Sequence, residues 1–122
     1  MKKVSSLFMC IFLIICLVGC GGGTSRPTLQ PQDMFMRGAI TSLSQQGDKM
    51  TILVEGQWEG AVSDKGSVSI DGSAEVYDAV AEKMVQIEEL KVGLQVEVIF
   101  DGPILESYPI QGRAKAVTIL GL

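Results

Sequence analysis

The feature that most constrains the fold of this chain is a set of short apolar runs with a period of two, each closed by turn residues. The clearest run is Gln95–Phe100, where valine and phenylalanine occupy every second position before Asp101-Gly102-Pro103 stops it. Side chains of a strand alternate between two faces, so such a run predicts a half-buried strand. The pattern predicts five short strands, at residues 37–43, 50–55, 67–70, 95–100 and 113–120.

One stretch has helical spacing instead. In Asp78–Leu90 the apolar side chains recur four and three residues apart, and Gly93 follows shortly after. This spacing predicts one short helix between the third and fourth strands. Short strands interrupted by one helix are typical of the OB-type barrel, which closes a small sheet and protects its edges. The predicted fold class is therefore all-β with one short helix, a small OB-like five-stranded β-barrel.

The first twenty residues have the organisation of an export signal. A basic start, Met1-Lys2-Lys3, precedes an uncharged apolar run of twelve residues, Leu7–Val18. A bilayer-spanning helix needs about 20 residues, so this run has the length of a signal-peptide core instead. It ends in Leu17-Val18-Gly19-Cys20, which resembles the lipobox of bacterial lipoproteins.

That resemblance implies that residues 1–19 are a cleaved lipoprotein signal peptide and that Cys20 becomes a diacylated N-terminus. Two acyl chains anchor a protein stably, whereas one holds it only weakly. We therefore expect the protein to contact the membrane through lipid on Cys20, at the extracytoplasmic face of the cell membrane. An uncleaved hydrophobic anchor, or an ordinary signal peptide in which Cys20 is incidental, are the alternatives.

Composition divides the remainder into two parts and excludes several functions. Residues 20–33 are rich in Gly, Ser, Thr and Pro, which predicts a flexible tether before a domain at 34–122. The predicted signal peptide contains two of the ten basic residues. The domain that remains is acidic, and an acidic domain is unsuited to binding nucleic acid. The predicted signal peptide also contains Cys10 and Cys16, so the domain has no cysteine, and the chain has no histidine. We therefore expect no cofactor.

Several motifs spread over the domain resemble the YobA-like family of small bacillar lipoproteins. They include the start Arg37-Gly38-x-Ile40, the segment Ile52–Gly56, and the stretches Leu90–Gly93, Val96–Pro103 and Glu106–Pro109, with Gln111 and Ala114. The resemblance implies a lipobox and a small β-rich, OB-like domain. It implies no activity and no functional residue, because the function of that family is uncharacterised.

The most distinctive stretch is the connection between the last two predicted strands. It carries Asp101, Glu106, Ser107 and Tyr108 beside two prolines, and Gln111 follows it. Such a stretch suits a binding loop. It also suits a shaped crossover in which Tyr108 packs on the barrel and a proline sets the turn.

Trp58 is a second candidate binding residue. Glycines and polar residues flank it, which places it on a loop. An exposed indole on an OB barrel can stack on a sugar or peptide ring, and a buried one can cap an open end of the barrel. Both interpretations stay open.

Carboxylates offer little evidence for a metal site or a catalytic pair. The D-x-[DN]-x-[DN]-G spacing of a calcium loop does not occur, and most aspartates adjoin turns, so we expect no metal. The expected function is therefore a non-enzymatic binding or scaffolding module whose partner is an envelope protein or a glycan. The alternative is a weak hydrolase acting on cell-wall material through the carboxylates of residues 101–108.

Overall fold

The computed structural model describes residues 26–122, which form seven strands and one turn of 3₁₀ helix, Ile87–Glu89. The strands are β1 (Phe35–Gln46), β2 (Lys49–Glu55), β3 (Lys65–Ile70), β4 (Glu75–Asp78), β5 (Lys83–Met84), β6 (Gln95–Leu105) and β7 (Ile110–Gly121). The predicted signal peptide, residues 1–19, and the predicted lipidation site, Cys20, lie outside the described residues.

Five of the strands close into a barrel. Their order is β3-β2-β1-β6-β7, and a parallel pairing between β3 and β7 joins the two ends. The other four pairings in the ring are antiparallel. This is the plan of an OB-type barrel, so the predicted fold class is confirmed.

The barrel interior is filled by the inward-facing residues of the alternating runs. Its core consists mainly of branched aliphatic side chains, including Ile40, Ile52, Val54, Val68, Val96, Val98, Val117 and Ile119, with Met36, Met50 and Phe100. Two interior glycines permit close approach between strands. A Cβ on Gly38 would lie 2.3 Å from the carbonyl oxygen of Glu55, and one on Gly112 would lie 2.6 Å from the Phe100 ring.

The helix predicted over Asp78–Leu90 is wrong. The stretch instead holds the end of β4, a tight turn, β5 and the 3₁₀ turn. Asp78 Oδ1 accepts hydrogen bonds from the backbone N–H groups of Val80 and Ala81, and this closes the turn. Val80, which the helical spacing would bury, is 70% exposed.

Tertiary pairing explains this outcome. β4 runs parallel to the second half of β7, with Val76 opposite Val117 and Tyr77 opposite Thr118. β4 thereby satisfies backbone groups of β7 beyond the part that pairs with β3. Long-range pairing of this kind overrides a local helical spacing.

The barrel strands also extend beyond their predicted bounds, and β1 and β3 each begin two residues early, at Phe35 and Lys65. β1 continues to Gln46, β7 begins at Ile110, and β6 runs through the expected stop at Asp101-Gly102-Pro103 to Leu105. The ladder accommodates this stop signal because the register shifts between Asp101 and Leu105, and Gly102 adopts a φ of 75°.

Part of the predicted tether contacts the barrel. Pro27 and Thr28 share with Ile99 and Lys115 the walls of a small cleft of about 220 Å³. Gln30 and Asp33 form a turn in which each backbone N–H donates to the other residue. Within residues 26–122, no helix has the length and apolar character needed to cross a membrane.

Candidate functional site

The outer surface of β2, β3 and the first half of β7 carries polar side chains around one half-buried leucine, Leu53, which lies opposite Ser67. Thr51 lies opposite Ser69 and Glu55 opposite Lys65, while Ser67 and Ser69 lie opposite residues of β7. We call this surface the polar face; it comprises Thr51, Glu55, Lys65, Ser67, Ser69, Gln111 and Arg113. Alternation places these side chains outside because their chain neighbours, such as Ile52 and Val68, fill the core.

One end of the polar face opens into a cleft of about 430 Å³. Its polar walls are Ser44, Gln46, Lys49, Thr51, Asp71 and Arg113. In OB-type barrels the face of strands 2 and 3, with the loop between strands 1 and 2, is a common place for ligands. The cleft lies at that position, beside the tight turn that joins β1 to β2.

Arg113 organises the cleft end. Its guanidinium lies 3.5 Å from the Asp71 carboxylate and 3.6 Å from the Asp101 carboxylate, and it donates to Ser73 Oγ at 3.1 Å. Arg113 is 52% exposed, so it remains accessible from solvent. One cation therefore pairs with two carboxylates, that of Asp71 just after β3 and that of Asp101 in β6.

The pKa of Asp71 lies below its ordinary value. The hydroxyl of Ser73 and then its backbone N–H donate to the carboxylate, and Arg113 adds a favourable charge. Because hydrogen bonds to a carboxylate stabilise its ionised form, Asp71 stays charged at acidic pH.

Tyr108 stands at the other end of the polar face and is 70% exposed. Its hydroxyl lies beside the Asp64 carboxylate, which raises the pKa of the phenol by hydrogen bonding. The expectation that Tyr108 packs on the barrel is therefore wrong. Ser107 beneath it donates its hydroxyl to the Pro109 carbonyl at 2.6 Å, which shapes the loop.

An ion pair between Lys65 and Glu55 lies near Tyr108, at the same end of the polar face. Lys65 Nζ lies 3.6 Å from Glu55 Oε1. The pKa of Glu55 is lowered, first by a hydrogen bond from the Thr41 hydroxyl and then by Lys65. The charges at both ends of the polar face thus occur as opposed pairs.

The structure brings some of the predicted site residues together and separates others. Tyr108 and Gln111 border the polar face, and Asp101 reaches its cleft through Arg113. Ser107 uses its hydroxyl within the loop, and Glu106 is exposed at the loop tip. The sequence prediction missed Arg113, although its outward position two residues after Gln111 was a usable signal.

Trp58 lies elsewhere, on the outer surface of β1. The Arg37 guanidinium carbon lies 4.6 Å from the centroid of the indole, and Arg37 forms an ion pair with Glu97. The indole is 54% exposed, so Trp58 packs beside an outward-facing arginine and does not cap the barrel end. Glu97 is a further residue that sequence reasoning missed; it is only 3% exposed.

Across residues 26–122, no group of three or more carboxylate or other ligating side chains is placed to hold a metal ion. The chain matches no curated protein. A family described as a protein of unknown function, DUF3221, matches residues 45–121, from the end of β1 to the end of β7. The match spans more than half of the chain, and the chain therefore belongs to the DUF3221 family.

Proposed function

We propose that this protein is a surface lipoprotein of the YobA-like kind, anchored through lipid on Cys20, whose barrel is a non-enzymatic binding module. It takes an extended polar partner, an envelope protein or a cell-wall glycan, along the polar face. The observation that carries this proposal is the extent of the polar face, whose hydroxyl, amide and charged groups lie around Leu53 from Tyr108 to the cleft at Arg113.

The chemistry of the polar face suits hydrogen bonding to a neutral or weakly charged partner. Hydroxyl and amide groups of Thr51, Ser67, Ser69 and Gln111 can each donate and accept. The distance from Thr51 to Glu55 along β2 is about 14 Å at roughly 3.4 Å per residue, which is longer than a single small ligand. The face therefore favours a chain-like partner over a compact metabolite.

The charge arrangement supports binding over catalysis. Asp101, which the hydrolase alternative would use, faces the Arg113 guanidinium at 3.6 Å. The Arg113 guanidinium therefore engages this carboxylate in an ion pair. The paired charges on this face serve as fixed hydrogen-bonding groups.

Binding is tested by crosslinking in intact cells that produce the full chain. We expect specific partners to be recovered with the wild-type protein and lost with the double variant Gln111→Ala, Arg113→Ala. Lys83→Ala is the matched control, because Lys83 is an exposed cation on β5, outside the polar face. Equal recovery with the double variant and the control would refute the proposed face.

Anchoring is tested separately. We expect Cys20→Ala to release the protein from the membrane fraction or to leave it as unprocessed precursor, because two acyl chains supply the stable anchor. Processing and membrane retention equal to wild type would refute the lipoprotein proposal, and the crosslinking result would still stand on its own.

A further inference from the structure

Trp58 has an unusual setting for the single tryptophan of the chain. Its loop is held by backbone hydrogen bonds from Ala61 N to Trp58 O at 3.1 Å and from Val62 N to Phe35 O at 3.0 Å. A third bond, from Gly56 N to Asp64 O at 2.9 Å, closes the base of the loop. The indole is therefore held in place although more than half of it faces solvent.

A network behind the ring fixes its inner surface. Arg37 stacks on the indole and binds the Glu97 carboxylate through both Nε and Nη2. Glu97 lies opposite Arg37 on β6 and is buried. Burying a carboxylate is costly, and a pair of apolar residues would often be as stable. The pair is thus better explained by positioning the arginine and the ring than by stability.

We propose that Trp58 is a stacking site for a neutral pyranose ring, separate from the polar face. A flat indole face offers contact with the C–H groups of a sugar. The flanking side chains of Gln57 and Glu59 are exposed and polar, which suits the hydroxyl groups at a sugar's rim. This site does not depend on the polar face or on the anchor.

Arg37 selects between ligand classes. The Arg37 guanidinium already lies over one face of the indole and interacts with the ring quadrupole, which leaves a weaker attraction for a second cation on the outer face. A quaternary ammonium ligand is therefore disfavoured relative to a neutral ring. An anionic ligand gains little from Arg37, because Glu97 already neutralises that charge.

Intrinsic fluorescence tests this site directly, since Trp58 is the only tryptophan. The full chain is purified in a detergent without sugar head groups and titrated with chitotetraose, a neutral oligosaccharide. We expect a saturable change in Trp58 emission and no saturation with tetramethylammonium chloride. Absence of saturation with chitotetraose, or tighter response to the ammonium salt, would overturn the proposal.

Variants locate the binding by calorimetry. We expect Trp58→Ala to bind chitotetraose about tenfold more weakly, the equivalent of about 1.4 kcal/mol, and Trp58→Phe to retain part of the affinity. Lys83→Ala should bind as wild type does, because Lys83 is an exposed residue of β5, outside the polar face and the loop that carries Trp58. Wild-type affinity in a folded Trp58→Ala protein, or an equal loss of affinity in Lys83→Ala, would refute the assignment.

Discussion

Gly38→Ala tests how closely β1 and β2 approach in the barrel. A Cβ at this position would lie 2.3 Å from the Glu55 carbonyl oxygen, 2.4 Å from its carbon and 2.7 Å from Gly56 N. All three atoms are backbone, so no side chain can rotate away. Overpacking costs about 1–3 kcal/mol, and the upper end applies here because strands must separate. Replacing glycine with alanine also lowers the conformational entropy of the unfolded chain, which stabilises the folded state by about 0.4–1 kcal/mol.

The expected net loss is about 2 kcal/mol, which lowers the melting temperature by roughly 8–16 °C in a domain of this size. Thermal unfolding followed by circular dichroism and Trp58 fluorescence measures it. Gly72→Ala is the matched control, because a Cβ there meets nothing within 4 Å. If the two variants melt at the same temperature, the reasoning from close approach is refuted.

Two further predictions concern charges. Arg37→Met leaves the Glu97 carboxylate buried without its cation, so we expect a loss of about 3–5 kcal/mol in unfolding free energy by urea titration; a loss below that of the Gly72→Ala control would contradict the ion pair. Ser73→Ala removes the hydroxyl donor to Asp71 but keeps the backbone N–H donor, so it should raise the Asp71 pKa part of the way toward the ordinary 3.8, as read by carboxyl NMR. Because the folded pKa is lowered, the associated stability is present above 3.8 and is lost as pH falls through the folded pKa. The variant and the wild type should therefore differ above that pH and converge in stronger acid; a constant difference at every pH would contradict this explanation.

The strands of the barrel were predictable because their signal is local. Runs such as Gln95–Phe100 place every second side chain in the core, as Val96, Val98 and Phe100 are in β6. The structure differs from the half-buried prediction in one respect, because the residues between them, Glu97 and Ile99, are buried as well. The stretch after Asp78 was not predictable in this way. Its apolar spacing fits a helix, whereas in the structure β5 pairs with β4, which in turn pairs with β7, some forty residues further along the chain.

The candidate site likewise contains residues that stand out in the sequence and residues that only the folded chain brings together. Tyr108 and Gln111 stand out in sequence because prolines and polar groups cluster near them. Asp71 reads as a turn former, and nothing local connects it with Arg113. They meet because β3 and β7 pair in parallel, with Ser69 opposite Arg113. Glu97 occupies an outward position of an alternating strand, and its burial follows from the loop carrying Trp58 and from Arg37.

The parallel pairing of β3 with β7 also determines which strand closes the barrel. β7 is the last strand of the chain, yet it contacts β3, β4 and β6. A chain that lacks residues 110–121 still contains the strands that pair β1 with β2, β2 with β3 and β1 with β6, but it cannot close the ring. Within residues 26–122, β7 is therefore the strand that converts an open sheet into a closed barrel, because it pairs with β6 on one side and with β3 on the other.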